Sequence, residues 1–335
     1  MKQRKSMLAV LLIFTLLFSL SGCAKTDEPA GDGNGKQQQT EEGGKFSIGL
    51  VAKNQTDQFT AWQANEIMNT CQKDYADVFD IEMIDGEGDN AKIINAIETF
   101  TAKGVNAILV QPDDKEAIKT TISAAYDKGI IVITLSEKVD DGQSTSITSS
   151  EYSMGYLLGS CAAEKLPPDA KVVLIEGQAG QSAVIGRTEG IEKALSERGD
   201  IEVLVKANAN WARDKAMNYM EDWLVLYPHI DGVLSHDDIM LLGAVNAIDA
   251  AGRRDEFSFL GGVDGLPEGC TAVKDGVTTC SVAQDAPAQA KAALDMVKQT
   301  LGGGEQKDVE VETELITSDN VDKWLDIHKA AGNME

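Results

Sequence analysis

The chain has 335 residues, enough for two domains with sizeable cores. Its make-up, 43% hydrophobic, 25% charged and only 5% aromatic, is that of an ordinary water-soluble α/β protein. A formal charge of −24 excludes a nucleic-acid partner, because nothing on such a surface would neutralise phosphates.

Residues 1–22 have the layout of a secretory signal: Lys2, Arg4 and Lys5, then an apolar run over 7–20 that is too short for a comfortable membrane span. The run ends in Leu20-Ser-Gly-Cys23, which resembles the bacterial lipobox. That resemblance implies cleavage before Cys23 and acyl chains on its sulfur and new amine, enough together for stable membrane anchoring. Residues 23–44 then read as a lipidated flexible tether of Gly, Gln, Glu and Asp with almost nothing to bury.

From Phe46 the pattern alternates between strands and helices. Apolar runs at 47–52, 79–84, 107–110, 130–135 and, more weakly, 145–148 predict strands. Helical patterns lie between them, at 91–103 closed by Gly104 and at 117–128 closed by Gly129. This succession predicts a parallel sheet covered on both faces.

A second round follows a helix over 151–165 that Pro167-Pro168 ends. Strands are expected at 171–175, 202–206, 232–234, 257–263 and 278–282, and helices at 187–197, 215–227 and 238–251. A helix over 286–301, a single strand over 309–315 and a last helix over 320–329 complete the chain. Two sheets in sequence mean two doubly wound lobes.

The five cysteines include no CxxC pair, and no Cys/His cluster has zinc spacing, so neither a metal nor a cofactor is expected. Buried free thiols are the expectation, with a Cys270–Cys280 bridge left open.

Polar and aromatic residues recur where strands leave the sheets, which is where open parallel sheets bind ligands. Asp57 and Phe59 follow the first strand, Gln111 the third, and Ser136 and Glu137 the fourth. The second lobe adds Arg187, Trp211, Asp237, Asp264 and Gln284. Carboxylates and amides can pair with adjacent hydroxyls, an arginine donates from a fixed fork, and aromatic faces cover the C–H faces of a sugar ring. Asp264 ends a strand before Gly265 and Pro267, so it either faces a ligand or only caps the turn.

Several segments together carry a resemblance. They are Gly262-Val-Asp-Gly-Leu-Pro-Glu268, Trp211 with Met220-Glu-Asp-Trp-Leu224, Asp237-Asp-Ile-Met-Leu-Leu-Gly-Ala-Val245, and Ile48-Gly-Leu-Val51 with Asp57-Gln-Phe59. From Phe46 to about Trp324 the chain resembles the sugar-binding proteins of bacterial ABC importers, the ribose/galactose type, nearest the glucose/galactose binders. The resemblance implies a type I periplasmic binding protein fold: two Rossmann-like lobes joined by a three-strand hinge and closing on a sugar. The lobes would be 45–149 plus 285–308 and 150–284 plus 309–330. Phe59 and Trp211 would cover the two sides of the ring. Arg187, Asp237 and Asp264 would bind hydroxyls, Gln284 would sit at the hinge, and Asp57, Gln111 and Ser136 would belong to the first lobe.

The implied role is capture of a monosaccharide or related polyol at the outer face of the cytoplasmic membrane, with delivery to an ABC permease and its ATPase subunits. A monomer is expected. The alternative is a sensory receptor presenting the sugar to a chemoreceptor or histidine kinase. Gln181 and Ala183 stand where glucose/galactose binders have a histidine and an aspartate, Ser136 and Asp237 replace asparagines, and residues 165–171 lack the alternating ligands of a calcium loop. The epimer therefore stays open. With Asp57, Glu137, Asp237 and Asp264 set against Arg187, a neutral sugar or cyclitol is expected, an aminosugar is the alternative, and anionic sugars should be rejected. Enzyme readings fail on geometry: Ser235, His236 and Asp237 are consecutive and cannot form a spatial triad, and no GxGxxG follows the first strand.

Overall fold

The computed structural model describes residues 44–334; the signal-like segment, the tether's residues before Gly44, and Cys23 lie outside the described residues. Short apolar runs form the strands because both of their faces are buried. In chain order the first series is β1 (Phe46–Ala52), α1 (Gln58–Asp74), β2 (Phe79–Asp85), α2 (Asn90–Lys103), β3 (Ala107–Val110), α3 (Lys115–Asp127), β4 (Ile131–Leu135) and β5 (Thr145–Thr148). The second is α4 (Glu151–Lys165), β6 (Lys171–Glu176), α5 (Ser182–Arg198), β7 (Glu202–Asn208), α6 (Arg213–Leu226), β8 (Gly232–Ser235), α7 (Asp238–Ala250), β9 (Phe259–Asp264), α8 (Pro267–Lys274) and β10 (Cys280–Ala283). α9 (Ala286–Leu301), β11 (Val309–Glu310), β12 (Glu314–Ile316) and α10 (Val321–Ala330) follow.

The strands form two sheets, in the orders β11-β5-β4-β3-β1-β2 and β12-β10-β9-β8-β6-β7. Every pairing is parallel except that of β12 with β10. The two-residue period of a strand sorts side chains between the faces of each sheet. Leu50, Leu109 and Ile133 pack under α1 and α9 with Ile67 and Leu294. Their neighbours Val51, Ile108 and Val132 pack under α2 and α3 with Ile97, Phe100 and Ile122. The second sheet repeats the arrangement, with Leu174 and Val263 against α4 and α5 and Val173 and Val233 against α6 and α7.

The chain crosses between the sheets three times: from β5 to α4, from β10 to α9, and from β11 to β12. The last crossing corrects the sequence reading. The strand expected over 309–315 is two short strands, and β11 pairs with β5 of the first sheet, so the boundary placed before residue 309 falls after Glu310 instead. A run of alternating acids and apolar residues shows one strand; nothing in it reveals that the pairing partner changes midway.

α4 and α5 touch backbone to backbone. A Cβ on Gly155 would lie 2.1 Å from the Arg187 carbonyl oxygen, and one on Gly190 would lie 2.2 Å from that of Tyr152. Only glycine permits this approach. The four described cysteines are free and buried, so Cys270 and Cys280 do not bridge: Cys270 donates to the Gly265 carbonyl at 3.3 Å, and Cys280 lies beside Cys161. Among the described residues no helix is long and apolar enough to cross a membrane.

Candidate ligand-binding site

The carboxyl ends of the parallel strands of both sheets meet at one cavity of about 200 Å³. That is smaller than the roughly 300–1,000 Å³ of sites for drug-sized ligands, so the fitting molecule is small. All ten residues singled out from the sequence line it: Asp57, Phe59, Gln111, Ser136 and Glu137 from the first lobe, Arg187, Trp211, Asp237 and Asp264 from the second, and Gln284 at a crossing.

Two acids reach the cavity from helix starts. Asp57 caps α1 by accepting from the Thr60 N–H at 2.9 Å, and Asp237 caps α7 by accepting from the Met240 N–H at 2.6 Å. Each cap uses one carboxylate oxygen. Asp264 does not cap α8, whose N-cap is Leu266. Its backbone sits at φ 113°, in a region L residues rarely adopt, and its carboxylate accepts from Gln284 Nε2 at 2.6 Å. Ser136 and Trp211 also have positive φ, at 63° and 62°. Such strain, about 1–3 kcal/mol per residue, gathers where a fold holds side chains for a purpose.

Arg187, 3% exposed, is held by Glu151. Its Nε donates to Glu151 Oε2 at 2.7 Å, its Nη1 donates to the His236 carbonyl, and it stands 3.6 Å from Asp264 Oδ1. Neither donation uses Nη2. The guanidinium also lies over the Trp211 ring at 5.8 Å. Trp211 is half-buried, donates from Nε1 to Gln181 Oε1 at 2.7 Å, and covers Gly177, where a Cβ would meet the indole at 2.0 Å. Phe59 stands edge-on to Trp62, with ring centroids 6.1 Å apart, in an apolar cluster that includes Ile239 and Leu266 of the second lobe.

Gln111 and Ser136 line the wall while bracing the fold. The Gln111 amide accepts from the Lys53 N–H at 2.9 Å and donates to the Thr60 carbonyl and to Gln63 Oε1, at 3.0 and 2.7 Å. The Ser136 hydroxyl accepts from Gln63 Nε2 at 2.9 Å. Glu137 joins the lobes, accepting from the Ser182 hydroxyl of α5, and lies 3.7 Å from Lys115 Nζ.

Burial dominates the electrostatics. The Asp237 carboxyl is pushed up to about 7, first by loss of water and then by the charges of Asp238 and Asp57, against the opposing Met240 N–H and Arg187. Burial likewise raises Asp264 well above the usual carboxylate range; Arg187 opposes this, and Asp237 and Asp57 add to it. His236 is held neutral by burial and by Arg187.

Glu151 and Lys53 also line the cavity and were not singled out from the sequence. Lys53 directly follows β1, so the rule about strand ends applied to it. Glu151 carries no such signal: it opens a helix 36 positions from Arg187, and only the glycine-mediated contact of α4 with α5 brings the two together.

Fold and site together define a two-lobed α/β binding protein with a small polar cavity between its lobes. Residues 48–305 match the model of the periplasmic binding protein domain, and the chain belongs to that family. It is 29% identical over 301 residues to the ribose import binding protein of Bacillus subtilis, covering 88% of this chain and 93% of that one. To the xylitol-binding protein of Mycolicibacterium smegmatis it is 30% identical over 253 residues, covering 74% and 72%. Among solved structures it is similar to an ABC transporter solute binding protein from Bacillus halodurans C-125 with bound myo-inositol. That match has a TM-score of 0.79 and 28% identity, and covers 86% of this chain and 99% of that one.

Proposed function

We propose that this protein captures a monosaccharide or related polyol between its lobes and delivers it to an ABC permease. It would do so at the outer face of the cytoplasmic membrane, anchored through lipidated Cys23. One observation carries the reading: one small cavity at the strand ends of both sheets is lined by acids, amides, a guanidinium and two aromatic side chains, one from each lobe. Arg187, Asp237, Asp264 and Asp57 would take the hydroxyls, and Trp211 and Phe59 the apolar faces of the ring. Gln111, with its amide engaged, would act mainly by holding the wall, and Gln284 by orienting Asp264. The relatives named for ribose and xylitol, and the one holding myo-inositol, support a polyhydroxylated ligand. A ligand that binds only the folded state raises the melting temperature. Scanning fluorimetry against pentoses, hexoses, alditols and inositols should therefore find at least one polyol whose stabilisation of the protein keeps rising with the logarithm of its concentration above the Kd; stabilisation by none would refute the proposal.

A further inference from the structure

Five carboxylates line the cavity, those of Asp57, Glu137, Glu151, Asp237 and Asp264, against two cations, Lys53 and Arg187. Every cation at or beside the cavity already has an acid of its own. Lys53 pairs with Asp113 at 3.1 Å, Lys115 lies 3.7 Å from Glu137, and Arg187 pairs with Glu151 at 2.7 Å. Arg187 is shared with Asp264 only at 3.6 Å, which leaves Asp57 and Asp237 with no cation in contact.

Asp237 and Asp264 are each 95% buried. Both, like Asp57, spend one oxygen on a protein N–H, and no hydrogen bond among the described residues uses the other. A carboxylate shut in a cleft needs a proton or a positive partner. Hydroxyls supply hydrogen bonds but no charge. A metal ion is a poor candidate, because no three of His, Cys, Asp and Glu among the described residues are grouped to hold one. The cavity volume limits the partner to something the size of a single sugar ring.

We propose that the ligand carries a basic amino group among its hydroxyls, an amino sugar or amino cyclitol, with its ammonium group between Asp57 and Asp237. The assignment rests on the polyol reading and narrows it. Asp264, neutralised in part by Arg187, then remains a hydroxyl acceptor.

Calorimetric titration with matched pairs tests this: glucosamine with glucose, galactosamine with galactose, and an aminodeoxyinositol with its parent inositol. The amino member of at least one pair should bind at least tenfold more tightly than its parent. Asparagine is as good a helix N-cap as aspartate, so Asp57→Asn and Asp237→Asn should both fold. Each should shrink the ratio of amine to parent affinity about tenfold; that ratio is the readout, because both residues also meet hydroxyls of the parent. If parents bind as tightly as their amines wherever a pair binds, the inference falls and the polyol reading stands. An amino preference unchanged in both Asn variants overturns the placement of the ammonium. Binding of no member of any pair overturns the inference, while the polyol reading is judged by the wider fluorimetry panel of pentoses, hexoses, alditols and inositols.

Discussion

Replacing Arg187 by Met keeps most of the side chain's length and removes its charge. The guanidinium has one ion pair at 2.7 Å, to Glu151, and a second acid, Asp264, at 3.6 Å; the acid side chains are 16% and 6% exposed. Deleting one partner of a buried pair costs about 3–5 kcal/mol, because the charge left behind has neither water nor a counter-ion. The His236 carbonyl would lose its donor as well. Unfolding entropy is about 2.1 cal/mol/K per residue, so if residues 44–334 unfold together the melting temperature should fall by about 5–8 °C at pH 7. Arg187 opposes the upward push of burial on the Asp264 carboxyl, so without it that carboxyl takes up a proton more readily, and the deficit should shrink as pH falls. Scanning calorimetry of both proteins at pH 5 and pH 7 measures this. A fall below about 2 °C at pH 7, or a deficit that grows on acidification, would refute the picture of Arg187 as the counter-charge of the second lobe.

Trp211→Ala should weaken polyol binding by about 2–4 kcal/mol, as aromatic anchors do, with the fold intact by circular dichroism; undiminished affinity would return Trp211 to a packing role. The Asp237 carboxyl titrates at about 7 in the folded protein and near 4 in an unfolded chain. Between those values the folded state holds the extra proton, so this group's stabilising contribution is full below about pH 4 and is lost as pH rises through about 7. Urea titrations at pH 5 and pH 7.5 should show that loss in the unliganded protein, and Asp237→Asn should flatten it. Cys23→Ala should release the protein from membranes or leave it unprocessed; wild-type amounts of cleaved protein in the membrane fraction would count against the anchor.

Much of the fold was legible because its code is local. Apolar runs, with stops at Gly104, Gly129 and Pro167, placed most of the strands and helices to within a few residues. Once a parallel sheet is inferred, the residues after each strand must share an edge, which is why ten residues spread from Asp57 to Gln284 line one cavity. What stayed hidden depends on tertiary contact. Glu151 meets Arg187 only because Gly155 and Gly190 let two helix backbones touch. The positive φ of Asp264 leaves no trace in a Val-Asp-Gly sequence. That the Gln111 amide serves Lys53, Thr60 and Gln63 rather than the open cavity follows from a loop geometry that residue type does not encode.

A ligand held between the lobes touches both and biases them towards a closed arrangement. Glu137 already meets Ser182 across the cleft, and Phe59 shares an apolar cluster with Leu266. Small-angle X-ray scattering with and without a saturating polyol chosen by fluorimetry tests this most directly. Closure on the polyol should give a smaller radius of gyration than the unliganded protein has; an unchanged radius at saturation would contradict closure.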